Sequence, residues 1–420
     1  MHLKNWWIHF NSQGIRMYRS SWFKPGSLQR ILVFLSTTRL STQLSTHTRG
    51  RTTSLPSSPH QQNKIAWFRN HALRLNDNES LLAAIEECNS ETSTIVPVFL
   101  WEKHSGDDGS GGTASELFTA HSLKSLSLRL DGKLGIGYVT SKNSNSQQDR
   151  DVNQIVDDVA LQLVKEIVSI CEKNSANEIF YIRSSNVLLE ERISNFLTQN
   201  GITPRTYGGC SLLDYTKEDV PWKDIILAHS FRSPLIPFVD FVLERLSQTQ
   251  IQEAIEIPLT RLLTMLGDLE SESFSDHINI DHLLQTLGKS SGGTAWGESI
   301  VESFPQSDED AAKDELEKFL HSLKPKSDDE KQTHFTSRLS PFLARGLLSP
   351  RQVYNNILSQ DDDCDTASFI RRLCWRDYTH AVVSLYPDVL YGRPIRLGYE
   401  INSGNLDNQQ KHSLDMWKKG

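Results

Sequence analysis

The first 63 residues contain no aspartate or glutamate, although the chain of 420 residues carries 52 acidic and 44 basic side chains. These 63 residues hold eight lysines and arginines and many serines and threonines. A basic, hydroxyl-rich and acid-free leader is typical of an organelle transit peptide. We therefore expect a plastid or mitochondrial location, with a nuclear location as the alternative. A disordered tail and a misassigned start codon are the other interpretations of the leader.

Long apolar runs and paired cysteines are also missing. The apolar run ILVFL in the leader is too short to cross a bilayer, and no other stretch is long enough, so we expect no membrane partner. The five cysteines stand at positions 88, 171, 210, 364 and 374, and none of them forms a C-x-x-C pair. This spacing indicates neither a zinc site nor a disulfide framework, and it fits a reducing compartment.

Residues 64–207 alternate apolar runs with helical patterns, which favours an α/β domain. The expected strands are KIAWFR, STIVPVFLWE, GIGYVT, EIFYI and ITPRTYG. We predict a Rossmann-like, doubly wound domain with a five-stranded parallel sheet and with ligand sites at the carboxyl ends of its strands. No strand pattern continues beyond residue 208. We interpret residues 208–290 as an interdomain connector and expect residues 291–420 to be all helix.

Two Ser-Pro pairs punctuate the stretch FTSRLSPFLARGLLSPRQVYNNI. Ser340-Pro341 and Ser349-Pro350 each fit the N-cap and first positions of a helix, because the hydroxyl caps a free N–H and the ring presets φ. Gly346 fits a left-handed residue that ends the first helix. We predict a helix over about 341–345, a tight turn and a second helix that begins at Pro350.

The start of the first helix gathers hydrogen-bond donors. A helix start presents unpaired N–H groups and a partial positive charge, so it can hold a phosphate. The side chains of Thr336, Ser337, Arg338 and Ser340 would supply further donors around such an anion. An ordinary helix-turn-helix with polar caps is the alternative interpretation.

Three stretches of the chain read WFRNHALRLNDNESLLAA, TSRLSPFLARGLLSPRQV and FIRRLCWRDYTHAVVSLYP. They resemble, in order and at about the same spacing, the W-F-R-x-D-L-R-x-x-D-N, T-S-x-L-S-P-x-L-x-x-G-x-I-S-P-R and E-L-x-W-R-E/D-F/Y motifs of the photolyase/cryptochrome flavoproteins. The resemblance runs from about residue 64 to the last residue. It implies an α/β antenna domain followed by an all-α FAD-binding domain.

The resemblance implies FAD as the cofactor. The residues that match those around its pyrophosphate are Thr336, Ser337, Arg338, Leu339 and Ser340. Arg376 matches an arginine near the flavin. The family's phosphate-contacting tyrosine falls near Phe231 or Arg232, and Arg232 retains the ability to serve an anion.

The resemblance also implies substrate-binding and antenna residues. Trp375 matches the tryptophan that stacks on a flipped lesion in repair enzymes, with a core aromatic as the alternative. Arg372 stands where repair enzymes commonly carry a glutamate near flavin and lesion. Glu191 matches a glutamate that binds a folate antenna, with a solvated helix face as the alternative, and the accompanying lysine falls on Tyr391. The second chromophore would be a folate or a deazaflavin.

Two departures from the family pattern bear on activity. The segment RNHALR has one residue more than R-x-D-L-R and lacks its aspartate. The final LDMWKKG resembles a family segment that continues into further helices, and no tryptophan stands between Trp375 and Trp417. We therefore expect the catalytic groups around the flavin ring beyond Gly420, an incomplete helical domain, weak or absent FAD binding and an inactive chain.

Full-length relatives imply two activities. One is light-driven repair of pyrimidine dimers in DNA by electron transfer from FAD, the carbon–carbon lyase reaction of a deoxyribodipyrimidine photo-lyase, and the other is blue-light signalling. The partners would be DNA or signalling proteins, and we expect a monomer. The acidic body does not favour DNA binding, so Arg371, Arg372 and Arg376 are the best candidates for a local basic patch. The alternative is a non-catalytic nucleotide-binding or protein-interaction module that uses only the Rossmann-like domain.

Overall fold

The computed structural model describes residues 5–11, 14–20, 63–88, 93–104, 114–141, 151–215, 222–228, 235–248, 254–269, 273–290, 307–323, 336–360 and 366–391. The chain divides into two units, Met1–Ser57 and Ser58–Gly420. In the first unit, β1 (Asn5–Asn11) and β2 (Gly14–Ser20) pair as an antiparallel hairpin. The targeting role of this leader stays a prediction.

The second unit is built on a parallel sheet of five strands. Their order across the sheet is β5-β4-β3-β6-β7. The strands are β3 (Asn63–Phe68), β4 (Ile95–His104), β5 (Gly135–Ser141), β6 (Ala176–Ile182) and β7 (Thr203–Tyr207). The predicted doubly wound sheet is confirmed, because the chain starts at the central strand and moves first to one edge and then to the other.

Four helices cover the two faces of the sheet. They are α1 (Glu79–Glu87), α2 (Ala114–Arg129), α3 (Val152–Lys173) and α4 (Val187–Gln199). Successive residues of β3 point to opposite faces. Ile65 and Trp67 join the apolar cluster of α3 and α4, whereas Ala66 and Phe68 join the cluster of α1 and α2. Each face of the sheet is therefore buried beneath its own pair of helices.

The described residues beyond 215 are helical, apart from loops, turns and two isolated bridges between Ile95 and Leu266 and between Gly137 and His277. Most of their buried apolar residues share the cluster of α1 and α2, whereas Phe274, Leu269 and Tyr391 pack with the cluster of α3 and α4 on the other face of the sheet. The helices are α5 (Trp222–Ala228), α6 (Leu235–Gln248), α7 (Leu259–Met265), α8 (Ile280–Ser290), α9 (Glu309–Ser322), α10 (Ser340–Arg345), α11 (Pro350–Leu358) and α12 (Ala367–Leu385), followed by a 3-10 turn (Pro387–Tyr391). The α/β domain followed by a helical region is the predicted fold class.

The two Ser-Pro starts differ in the structure. Ser349 caps α11 as predicted, and Gly346 ends α10 with a left-handed φ of 64°. A Cβ at Gly346 would collide with the backbone of His71, so this close approach also requires glycine. The prediction that Ser340 caps α10 is wrong, because Ser340 is already helical and Leu339 precedes it without a side-chain cap. Ser337 instead accepts a hydrogen bond from the N–H of Leu339 at 3.5 Å.

Replacement of Ser349 by alanine is expected to cost about 1 kcal/mol of unfolding free energy, the usual value of an N-cap. The Ser349 hydroxyl accepts from the N–H of Gln352 at 3.0 Å, and the Gln352 side chain accepts from the N–H of Ser349 at 2.9 Å. Urea unfolding of Ser349→Ala measures the loss. Ser359→Ala, at the exposed C-terminal end of the same helix, is the control. An equal effect of both substitutions would contradict the capping assignment.

Candidate functional site at the carboxyl edge of the sheet

Arg74, in the loop that follows β3, joins three backbone segments. Its side chain is fully buried. Nε donates to the carbonyl of Asp77 at 3.1 Å, Nη1 to that of Gly346 at 3.2 Å and Nη2 to that of Gly209 at 3.0 Å. Burial lowers the pKa of the Arg74 guanidinium, and the nearby Asp77 carboxylate opposes that shift. The loop after β3 thus connects the sheet to the end of α10 and to the segment after β7.

Arg376 of α12 makes a second connection beside the first. Nη1 donates to the carbonyl of Cys210 at 2.6 Å, and Nη2 donates to the carbonyl of Leu343 in α10 at 3.3 Å. Burial lowers the pKa of the Arg376 guanidinium, with Asp377 acting in the opposite direction. Both terminal nitrogens are therefore bonded to protein carbonyls. The role near a flavin that the resemblance implies for Arg376 stays a prediction.

Asp377 anchors the segment after β7 to the same helix. Its buried Oδ2 accepts from the N–H of Leu212 at 2.8 Å, the N–H of Leu213 at 3.3 Å and the hydroxyl of Tyr215 at 2.9 Å. Burial raises the pKa of Asp377 to about 6, against the opposing effects of Arg376 and of the hydrogen bonds. Oδ1 of this carboxylate has no hydrogen-bond partner among the residues that the structure describes.

A raised pKa at Asp377 means that ionisation is less favourable in the folded protein than in the unfolded chain. The stabilisation contributed by protonated Asp377 is therefore complete below pH 3.8 and is lost as the pH rises through about 6. The loss amounts to about 3 kcal/mol. Asp377→Asn keeps an acceptor oxygen and removes the charge, so its unfolding free energy should lack this part of the pH dependence. A variant with the parental slope between pH 4 and 6 would refute the prediction.

Two histidines lie at the same edge of the sheet. His71 Nε2 donates to the carbonyl of Ile182, at the end of β6, at 3.0 Å. His380 Nδ1 hydrogen-bonds the hydroxyl of Ser185, which follows β6. Burial lowers the pKa of each histidine to about 3, and the nearby cations Arg69 and Arg376 act in the same direction. Both rings are neutral at physiological pH.

A small cleft lies where β6 and β7 end. Ser184, Ser185, Gly208 and Gly209 line it, together with an ion pair in which Arg183 Nη2 stands 2.8 Å from Asp214. The cleft occupies the carboxyl edge of the sheet, where the sequence predicts ligand sites. No described residues group His, Cys, Asp or Glu side chains in a way that would hold a metal ion.

The predicted phosphate-contacting residues lie directly before α10 and include its first residue, Ser340. Thr336, Arg338 and Ser340 are exposed, Ser337 is partly exposed and Leu339 is fully buried. Arg338 has a left-handed φ of 54°, and its Nε lies 3.7 Å from Oε1 of Glu315. The segment thus presents three hydroxyls and a guanidinium outwards from an apolar anchor.

The remaining predicted site residues are dispersed. Trp375 is 46% exposed on α12 and Arg372 is exposed beside it, and their substrate-binding roles stay predictions. Glu191 is exposed on α4, whereas its neighbour Glu190 is buried and accepts from the N–H and hydroxyl of Ser184 at 3.0 and 2.6 Å. Other predicted positions, Phe231, Arg232, Cys364, Trp417 and Gly420, lie outside the described residues.

Two further observations concern the predicted antenna site and the expectation that the protein has no membrane partner. Tyr391, where the family's folate-contacting lysine falls, accepts a hydrogen bond at 3.0 Å from the side chain of Asn186 at the start of α4. The identity of a second chromophore stays a prediction. Among the helices that the structure describes, none is both long and apolar enough to cross a bilayer.

Comparisons with known proteins agree with this architecture. A family model for DNA photolyase matches residues 64–212. A deoxyribodipyrimidine photo-lyase from Alkalihalophilus pseudofirmus is 36% identical over 86 residues, which are 20% of this chain and 17% of that protein. The deoxyribodipyrimidine photo-lyase of Escherichia coli is 24% identical over 373 residues, 83% of this chain and 67% of that protein.

Similarity extends to a cryptochrome and to a solved structure. Cryptochrome DASH of Synechocystis sp. is 24% identical over 381 residues, 85% of this chain and 66% of that protein. A bacterial class III photolyase from Agrobacterium tumefaciens has a similar fold, with a TM-score of 0.54 and 22% identity over 80% of this chain and 62% of that one. The chain spans about two thirds of the length of the relatives that it matches along most of its sequence. Residues 64–212 match the DNA photolyase model, and similarity to photolyases and to a cryptochrome continues through the helical region, which supports membership of the photolyase/cryptochrome family.

Proposed function

We propose that the chain is a flavoprotein of the photolyase type in which the Thr336–Ser340 segment binds the phosphates of FAD. Hydroxyl groups and a guanidinium are suitable donors to phosphate oxygens, and charge assistance strengthens the guanidinium bonds. The exposure of Thr336, Arg338 and Ser340 leaves their polar groups accessible to a ligand. The residues present therefore fit the phosphate end of the cofactor.

The polar side chains of this segment would bind the phosphates of FAD. Bound FAD would supply light absorption and electron transfer, while the protein binds and orients it. The hydroxyls of Thr336, Ser337 and Ser340 would donate to phosphate oxygens, and Arg338 would offset the negative charge. Because Glu315 pairs with Arg338, a phosphate competes with this carboxylate for the guanidinium.

A nucleic acid is the proposed partner. The exposure of the Trp375 side chain is the observation that supports this partner. Its ring is 46% exposed, and the exposed Arg371 and Arg372 precede it on α12. An exposed ring can stack on an unpaired base, and arginines beside it attract the phosphate backbone. We infer light-driven repair of DNA as the activity. Signalling is the second candidate, because cryptochrome DASH is among the relatives.

Absorbance of the purified protein tests the flavin assignment. Reconstitution uses FAD in excess, because the sequence predicts weak binding, and a spectrum of oxidised flavin that is weakened in Thr336→Ala and Ser337→Ala would support the assignment. Thr379→Ala removes an exposed hydroxyl of α12 and serves as the control. A folded protein that retains no flavin would contradict the proposal and would favour the non-catalytic module.

A pyrimidine-rich single-stranded oligonucleotide with a fluorescent label tests the nucleic-acid assignment. Trp375→Ala is expected to weaken binding about ten-fold, the usual value of one stacked base. Leu390→Ala, which removes another exposed apolar side chain, should leave the affinity unchanged. Flavin binding without measurable oligonucleotide binding would favour signalling over repair.

A further inference from the structure

Arg74 and Arg376 form two parallel bridges between the same pair of segments. Gly209 and Cys210 are consecutive residues after β7, and Leu343 and Gly346 lie at the last turn and the C-cap of α10. Each guanidinium donates to one carbonyl of the first pair and one of the second. The carboxyl edge of the sheet and α10 are therefore joined twice.

The position of α10 depends on such external contacts. The helix has six residues, which is too short for its own hydrogen bonds to maintain it. The carbonyl of Leu343 accepts from the N–H of Gly346 at 3.3 Å, and Arg376 adds a second donor to it. Arg74 supplies a donor to the carbonyl of the C-cap residue Gly346. A backbone bond from the N–H of Leu73 to the carbonyl of Arg345 at 3.0 Å adds a third connection to the loop after β3.

The Thr336–Ser340 segment follows the position of α10 because it leads directly into that helix. Leu339, the last residue before it, is fully buried and leaves the segment little freedom to move alone. We propose that Arg74 and Arg376 are positioning residues, which hold this segment in its ligand-binding conformation through α10 without touching the ligand. This proposal rests on the proposed function for the identity of the ligand, the phosphates of FAD.

Arginine is specifically required in this arrangement. Its planar fork reaches two carbonyls on different segments, whereas the ammonium of lysine is a single point of donation. Arg74→Lys and Arg376→Lys keep the charge and remove one end of each bridge. Arg245→Lys, on the exposed face of α6, is the matched control.

Amide hydrogen exchange and a pyrophosphate titration, both on the full chain, test the proposal. In Arg376→Lys and Arg74→Lys, exchange in residues 339–347 and 208–213 should accelerate about ten-fold, whereas the amides of α3 and α4 stay protected. The affinity for inorganic pyrophosphate should fall in the same two variants and stay unchanged in Arg245→Lys. In Arg376→Ala, added guanidinium chloride should restore slow exchange and binding, and sodium chloride should not.

The outcomes separate the two proposals. Unchanged exchange around α10 in Arg376→Lys, or equal acceleration throughout the chain, would overturn the positioning role. Faster exchange around α10 with unchanged pyrophosphate affinity would overturn it as well. If the parent protein binds neither pyrophosphate nor FAD, the proposed function fails, whereas the exchange result still decides whether the bridges hold α10. If Arg74→Lys does not fold, the results for Arg376→Lys alone test the positioning role.

Discussion

Acidification from pH 6.5 to about 3 is expected to unfold the protein, because two partly buried histidines must take up protons. The folded protein lowers the pKa of His71 and of His380 from 6.5 to about 3. Their contribution to stability is therefore complete above pH 6.5 and is lost progressively as the pH falls to about 3. At the lower limit the loss is on the order of 5 kcal/mol for each histidine, comparable with the whole stability of a domain.

Asp377 acts in the opposite sense over part of this range. Its raised pKa of about 6 adds stability as the pH falls towards 3.8. That gain of about 3 kcal/mol is smaller than the combined loss from His71 and His380. The net effect of acidification is therefore destabilising.

Substitutions that preserve the hydrogen bonds isolate the histidine effect. In His71→Gln the side-chain amide can replace Nε2 as the donor to Ile182, and in His380→Asn it can replace Nδ1 beside Ser185. Urea unfolding at a series of pH values should show a smaller slope between pH 4 and 6.5 for each variant. His282→Gln, on the exposed surface of α8, should keep the parental slope. Parental slopes in both test variants would refute the assignment.

The sheet could be predicted from local sequence because each strand is a short, buried apolar run between helical patterns. KIAWFR and EIFYI became the adjacent strands β3 and β6, and their predicted limits differ from the observed ones by at most two residues. Ser349 was also predictable, since a capping box involves only residues within one turn. Ser340 was not, because the left-handed Arg338 before it makes the chain enter the helix one residue earlier.

The connections of the candidate site were beyond local sequence. Arg74 donates to residues 135 and 272 positions away, so no spacing rule links them. The resemblance marked Arg376 as a functional residue but did not indicate its bonds to Cys210 and Leu343. Asp377 looked like an ordinary member of the WRDY segment. Charged residues are concentrated in motifs that otherwise form buried strands and helices. Because a buried charge requires partners, this pattern indicates buried polar contacts even though it does not name the partners.

The largest mutational effect is expected at Glu309, where α9 meets the loop after β3. The Glu309 side chain is 3% exposed and lies 3.0 Å from Arg129 of α2. It accepts hydrogen bonds from the N–H of Leu75 and from the N–H and side-chain amide of Asn76, the latter two at 3.2 and 2.9 Å. Glu309→Ala should lower the unfolding free energy by about 3–5 kcal/mol, because it leaves these buried donors and a cation without a partner.

Two further substitutions test whether the effect of Glu309→Ala comes from its buried contacts. Glu309→Gln keeps an acceptor for the backbone donors but loses the charge opposite Arg129, so its cost should be intermediate. Glu317→Ala, on the exposed side of α9, should change the urea midpoint little. Equal midpoints for Glu309→Ala and Glu317→Ala would contradict the prediction. Hydrogen exchange locates the destabilisation caused by Glu309→Ala. The amides of α9 and of residues 74–78 should be the first to exchange faster. These segments join the helical region to the sheet, and their opening would release the loop that contains Arg74 from its contacts with α10.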